Sequence, residues 1–194
     1  MQAERYEVRL SGSGGQGIII AAVVLAEAAG VYDEKYVCQS QSYGPEARGG
    51  TSRAEVIISN QPIDYPKAIK PDLLLAMNQE ACDIYATELK TDGLLVVDST
   101  WVKQVPPNCA AAFPFTEIAR NDIGKEMVAN MVALGAVGFL SQAVSLKSLE
   151  QALSSRAPKD TYEINLKALG AGVEAAQTVD LHAPSQRRIE GGEL

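Results

Sequence analysis

The stretch Gly12-Ser13-Gly14-Gly15-Gln16-Gly17 decides the fold. Upstream of it, Tyr6 to Ser11 alternates apolar and polar side chains, the period-2 pattern of a strand. Downstream, Ile18 to Ala29 is apolar almost all round, which predicts a buried helix with Gly30 as its stop. Strand, glycine turn and buried helix together open an α/β unit. Glycine permits positive φ and close main-chain approach, while the first NH groups of a helix lack internal partners. With the helix dipole, such amides favour an anion by roughly 0.3–2 kcal/mol. Gln16 adds a side-chain amide able to donate or accept. Four glycines in six residues exceed what a plain packing turn requires. Gly12, Ser13, Gly14, Gly15, Gln16 and Gly17 are therefore candidate contacts to an anionic ligand, with a turn built only for packing as the competing reading.

The spacing also fits G-x-G-x-x-G, and Asp33 lies about twenty residues on, as in a dinucleotide-binding unit. That reading fails on placement. The acid of a true fingerprint closes the second strand, where it reaches a ribose hydroxyl, whereas Asp33 and Glu34 precede the next strand candidate, Lys35 to Gln41.

Further strands are predicted at Ser52 to Ser59, Asp72 to Met77, Leu94 to Ser99 and Cys109 to Phe113. In the first of these, Ala54, Val56 and Ile58 share one face and Arg53 and Glu55 the other. The connection Tyr43 to Gly50 is too short for a crossover helix, so its flanking strands can pair as a hairpin and make the sheet mixed. Asn78 caps a helix running to about Leu89. From Thr116 onward only helices are predicted, near 116–121, 124–142, 146–153 and 161–179, and no linker separates them from the sheet. The expected fold is a three-layer α/β/α, Rossmann-like domain over residues 1–180, with a mostly parallel or mixed sheet and a helical C-terminal third. Residues 181–194 read as a polar tail, mobile or docked on a partner.

Composition narrows the partners. Of the 194 residues, 46% are hydrophobic and 21% charged, the balance of a globular protein that buries about 70% of its unfolded surface. Net charge is −7, so the long-range field repels nucleic acid and anionic membranes, and any phosphate must be held by local groups. The start carries no signal-peptide pattern, and the longest apolar runs fall short of the ~20 residues that span a bilayer. Cys38, Cys82 and Cys109 are odd in number and far apart, which fits neither a disulfide framework nor a Cys-x-x-Cys pair. A cytoplasmic setting follows as the expectation.

A second candidate site is the loop Tyr43-Gly44-Pro45-Glu46-Ala47-Arg48-Gly49-Gly50, with an aromatic ring, a fixed cation and two flexible glycines; Tyr43, Arg48 and Gly49 are its candidate contacts. A plain hairpin connection with Arg48 paired to Glu46 is an equally good reading. Asn78 and Asp98 sit at strand ends, the edge where open α/β sheets collect ligands, though capping and turn chemistry explain them as well. The lone His182 lies near the tail. One histidine cannot build a histidine-rich metal site, and catalytic side chains are scarce.

Five strings taken together resemble the gamma subunit of the 2-oxoacid:ferredoxin oxidoreductases, most closely the 2-oxoglutarate branch. They are Gly12 to Ile18, Ser42 to Gly50, Pro71 to Asn78, Asn130 to Gly135 and Asn165 to Leu169, and they span nearly the whole chain. The glycine loop alone is weakly specific; followed about 25 residues later by Tyr-Gly-Pro-Glu-Ala-Arg-Gly-Gly it becomes strong. The resemblance implies a subunit of an enzyme complex that decarboxylates a 2-oxoacid with thiamine diphosphate and releases acyl-coenzyme A, while electrons pass through iron-sulfur clusters to ferredoxin. The chain lacks the Gly-Asp-Gly motif that holds the magnesium of thiamine diphosphate and the clustered cysteines that ligate [4Fe-4S] centres. The resemblance places those groups on alpha, beta and often delta subunits. It also implies that Gly12 to Gly17, with Arg48 and Asn78, helps to hold coenzyme A, since in fused relatives the corresponding domain lies over the active-site channel. In isolation the chain can form a homodimer. Two other readings stay open at this point: a free-standing NAD(P)-binding oxidoreductase and a purely structural subunit.

Overall fold

The alternating segment at the start of the chain forms the middle of the sheet. In the computed structural model, which describes residues 5–42, 51–106 and 110–178, β1 (Arg5–Ser13) sends Val8 and Leu10 into one core and Glu7, Arg9 and Ser11 to the opposite face. It runs parallel to β4 (Leu73–Ala76), with Val8 opposite Leu73. On its other side it runs antiparallel to β3 (Thr51–Ser59), with Arg5 opposite Ser59 and Ser13 opposite Thr51. β2 (Tyr36–Ser42) forms the expected hairpin with β3. β5 (Leu94–Asp98) and β6 (Ala110–Phe113) extend the parallel half, giving the order β2-β3-β1-β4-β5-β6. Only β3 runs against the rest, so the sheet is mixed.

Side-chain parity divides the apolar residues between two cores. Val8, Leu10, Ala54, Val56, Ile58, Leu73, Leu75 and Val96 face α1 (Ile18–Glu27) and the later helices. Leu74, Ala76, Leu95 and Val97 face Ala81 and Cys82 of α2 (Gln79–Tyr85). The chain is thus a three-layer α/β/α structure, with most of its apolar mass on the α1 side. A short α3 (Phe115–Ile118) leads to α4 (Ala129–Ser141), α5 (Leu146–Arg156) and α6 (Lys159–Gln177), the helical C-terminal third anticipated from sequence.

Over β1 and β3 the second face is polar yet covered. Arg9 is 2% exposed; its Nη2 and Nε donate to Glu55 Oε1 at 2.8 and 3.0 Å, Nη1 donates to Glu88 at 2.5 Å, and the guanidinium stacks on Tyr85. Glu7 Oε2 accepts the NH groups of Ile69 and Lys70. Every buried charge here has a partner, as burial requires.

Gly30 is not the helix stop. After Glu27 the chain widens into a π-helical turn, Ala28–Tyr32, that passes through Gly30, and Asp33 N donates to Ala28 O at 3.0 Å. The cause is tertiary. Asp33 reaches across to α5, accepting from Ser145 N at 2.8 Å and Ser148 Oγ at 2.6 Å, and Glu34 then takes φ 54°.

α4 and α6 cross backbone to backbone. A Cβ on Gly135 would collide with the Leu169 carbonyl, and one on Gly172 with the Val132 carbonyl. Gly170, on the exposed side of α6, has nothing within 4 Å. The three glycines therefore respond oppositely to alanine. Gly135→Ala and Gly172→Ala each lower unfolding free energy by about 2 kcal/mol or more through overpacking. Gly170→Ala raises it by up to ~1 kcal/mol through helix propensity. Urea midpoints at constant m-value check both signs.

Candidate functional site

β1 and β4 are parallel neighbours, but the helices that follow them, α1 and α2, lie on opposite faces of the sheet. Their carboxyl ends are therefore the topological switch point, the place where such sheets leave a crevice. A cleft of about 530 Å³ opens there, lined by Ser13, Gly15 and Gln16 from the first turn and by Met77 and Asn78 from the second. Trp101, Thr116, Glu126, Met127 and Ala129 complete its lining.

The glycine turn is held from within. Gln16 N donates to Ser13 O at 3.2 Å, and Gly15 has φ 92°, the position of a β-turn that favours glycine. Gln16 brackets the turn: its Oε1 accepts Ser13 N at 2.7 Å and its Nε2 donates to Met77 O at 3.2 Å. Gly12 lies in the strand opposite Ser52, and a Cβ there would press on Gln16 and Met77. Gly17 has φ 71°, and a Cβ would strike the Asn130 amide, which donates to Gly17 O at 3.1 Å. Gly14 alone has no internal reason to be glycine. Its φ is not positive, and a Cβ would meet nothing within 4 Å. The first helical bond of α1 runs from Ala21 N to Gly17 O, so the NH groups of Ile18, Ile19 and Ile20 have no carbonyl partner within the helix.

Asn78 does two jobs. Its Oδ1 accepts Ala81 N at 2.9 Å, capping α2 as expected, and its Nδ2 donates to Ser13 Oγ at 2.5 Å, tying the two turns together. Ser13, Gly15, Gln16 and Asn78 thus share one cleft, flanked by Gly14. Tyr43, Arg48 and Gly49 lie outside the described residues, as do Cys109 and His182. Among the described residues no lysine or arginine lines the cleft.

Asp33 removes the dinucleotide reading. Its carboxylate accepts from Ser145 N and Ser148 Oγ at the start of α5, among residues that do not line the cleft. Cys82 is buried, and burial, reinforced by Asp83, raises its thiol to about 11, which leaves it protonated and unreactive at neutral pH.

Sequence reasoning did not find the far wall. Asp98 is fully buried at the end of β5; its Oδ2 accepts Thr116 Oγ1 at 2.5 Å and Thr116 N at 3.2 Å, and its Oδ1 accepts Thr100 N at 3.0 Å. Thr116 Oγ1 in turn accepts Trp101 Nε1–H at 3.1 Å. A buried carboxylate thereby fixes an indole that remains 48% exposed, in a cleft that Met127, 80% exposed, also lines. The one available signal was the strand-end position of Asp98.

The pattern of the pyruvate ferredoxin/flavodoxin oxidoreductase family matches residues 7–175. The chain belongs to that family. Among relatives, the 2-oxoglutarate synthase subunit KorC of Methanocaldococcus jannaschii is 48% identical over 177 residues, which cover 89% of this chain and 95% of the relative. Among solved structures, the gamma subunit of a keto/oxoacid ferredoxin oxidoreductase from Geobacter sulfurreducens is 50% identical, with a TM-score of 0.84 over 91% of this chain and 98% of that one. The pyruvate oxidoreductase subunit PORC of Thermotoga maritima is 26% identical, with a TM-score of 0.74 over 89% and 97%. Within the family's pattern, Asn130 and Gly135 have separate structural roles here, one holding the glycine turn and the other the α4–α6 crossing.

Two outcomes are expected from the site's electrostatics and capping. Burial raises the Asp98 carboxyl above 3.8, with the donors from Thr116 and Thr100 pulling the other way. A raised carboxyl makes the fold bind its proton more tightly than the unfolded chain does. Its stabilising contribution is therefore complete below pH 3.8 and fades as pH climbs through the raised value. A carbon-13 titration of the Asp98 carboxyl is expected to show a midpoint above 3.8. Asn78→Ala is expected to cost ~1 kcal/mol or more, since it removes a cap and the bond to Ser13, as read by thermal melting.

Proposed function

We propose that this chain is the gamma-type subunit of a 2-oxoglutarate:ferredoxin oxidoreductase, a complex that converts a 2-oxoacid and coenzyme A to acyl-coenzyme A and carbon dioxide while reducing ferredoxin. The observation that carries the reading is 48% identity to a 2-oxoglutarate synthase subunit along nearly the whole of both chains. Several further relatives named as the same subunit support it, at 44% and 37% identity. The chain works as one part of the enzyme. Thiamine diphosphate, magnesium and [4Fe-4S] clusters belong to alpha, beta and delta partners, and ferredoxin docks on the assembled complex.

The role proposed for this chain is to help hold coenzyme A at the switch-point cleft. The residues fit such a ligand in three ways. Gly14 leaves open space above the main chain, the glycine turn lines the cleft through Ser13, Gly15 and Gln16, and the cleft volume of about 530 Å³ lies within the usual range for small-molecule sites. When bound there, coenzyme A would supply the thiol that accepts the acyl group. Ser13, Gly14, Gly15 and Asn78 would bind and orient its anionic or pantetheine part, with Arg48 assisting.

Gly14→Val tests the role, because φ at this position is not positive and a Cβ there meets nothing within 4 Å. The variant is expected to assemble with its partners and to lose at least about tenfold in kcat/KM for coenzyme A, the scale of one or two lost amide contacts. An unchanged coenzyme A dependence in an assembled complex would remove the role. Anaerobic purification from the native host is expected to bring down larger, brown iron-sulfur partners, and isolation as a colourless single chain would count against the whole reading.

A further inference from the structure

We infer that Trp101 is the stacking platform for a purine base, so that the switch-point cleft takes the nucleotide end of its ligand with the base against the Trp101–Met127 wall. The inference deepens the proposed coenzyme A role and rests on it. Four observations carry it.

The indole is presented by a fixed support. Trp101 Nε1–H donates to Thr116 Oγ1, which donates to the fully buried Asp98 carboxylate, and Thr100 N and Thr116 N complete the acceptor set. One edge of the ring is thereby anchored, leaving the rest to face the cleft at 48% exposure. Fixing an aromatic ring before the ligand arrives lowers the ordering cost of binding.

Met127 lies on the same wall and is the most exposed large apolar side chain of the described residues, at 80%. An unbranched thioether lining the same cleft as an indole suits a flat heteroaromatic ring, because it adapts its shape and makes favourable sulfur–aromatic contacts. Third, this wall offers no cation among the described residues. Its one charged side chain, Glu126, is paired with Arg120 at 3.0 Å. These side chains therefore suit a neutral ring better than a phosphate, whereas the glycine turn of the same cleft suits phosphate. Fourth, the two walls share one cleft, so a ligand with a base joined to a pyrophosphate can use both. An exposed apolar face awaiting another subunit would explain Met127, but it leaves the buried Asp98–Thr116 support of the indole without a purpose.

The test uses the assembled complex and two competitive inhibitors of coenzyme A that divide the molecule between them. Adenosine 3′,5′-bisphosphate carries the base; phosphopantetheine carries the other half. Trp101→Ala is expected to weaken inhibition by the bisphosphate roughly tenfold to a hundredfold, the range for loss of one base–aromatic stack, and to move the phosphopantetheine constant less than about twofold. Trp101→Phe keeps a stacking face and is expected to restore most of the loss. Thermal melting and subunit co-purification confirm that both variants fold and assemble. Since Trp101 is the only tryptophan of the chain, a 5-fluorotryptophan-labelled subunit in the complex gives a direct readout. Its fluorine resonance is expected to shift with the bisphosphate and to stay in place with phosphopantetheine.

Equal weakening of both inhibitors, no change in either, or failure of phenylalanine to rescue would each overturn the stacking role. If Gly14→Val still impairs coenzyme A use in that case, the broader role stands without it. If neither Gly14→Val nor Trp101→Ala alters coenzyme A dependence, the broader role fails together with this one.

Discussion

The structure turns on the parting of two helices. Strands β1 and β4 are hydrogen-bonded neighbours pointing the same way, yet the chain leaves one toward the α1 face and the other toward the α2 face. No helix can then cover the gap between their ends. Polar groups in that gap must be satisfied by short-range devices, and two side-chain amides supply them. Gln16 joins the first turn to Met77, and Asn78 joins the second turn to Ser13. The crevice is thus braced on its floor and open above, as a ligand site requires.

This arrangement explains how four glycines in one turn divide their labour. Gly12 and Gly17 are small because Gln16 and Asn130 occupy the space a Cβ would need, and Gly15 is glycine for its backbone angle. A turn built only for packing accounts for these three. It does not account for Gly14, whose missing side chain leaves open space above the main chain.

Much of this was legible in the sequence because its causes are local. Alternation along residues 6–11 and 54–58 set strand faces, Asn78 announced a cap, and the shortness of the Tyr43 to Gly50 connection implied a hairpin and so a mixed sheet. The misread helix end at Gly30 had a distant cause, since Asp33 is held by Ser145 and Ser148 more than a hundred residues away. The far wall of the cleft was invisible for a similar reason. Trp101, Thr116 and Met127 come from three separated segments, and only the burial of Asp98 and its bonds to Thr116 reveal that they belong together. Local periodicity carries no trace of such a meeting.

The position of β1 in the sheet also governs how the chain is made. It precedes the other five strands of the sheet in the chain, yet its two neighbours are supplied only by residues 51–59 and 73–76. Through the synthesis of about the first third of the chain, an apolar strand and the oily helix behind it wait with both edges unpaired. A stall in translation before β4 emerges would therefore leave one edge of β1 open, and that edge closes only when Leu73, Leu74 and Leu75 arrive.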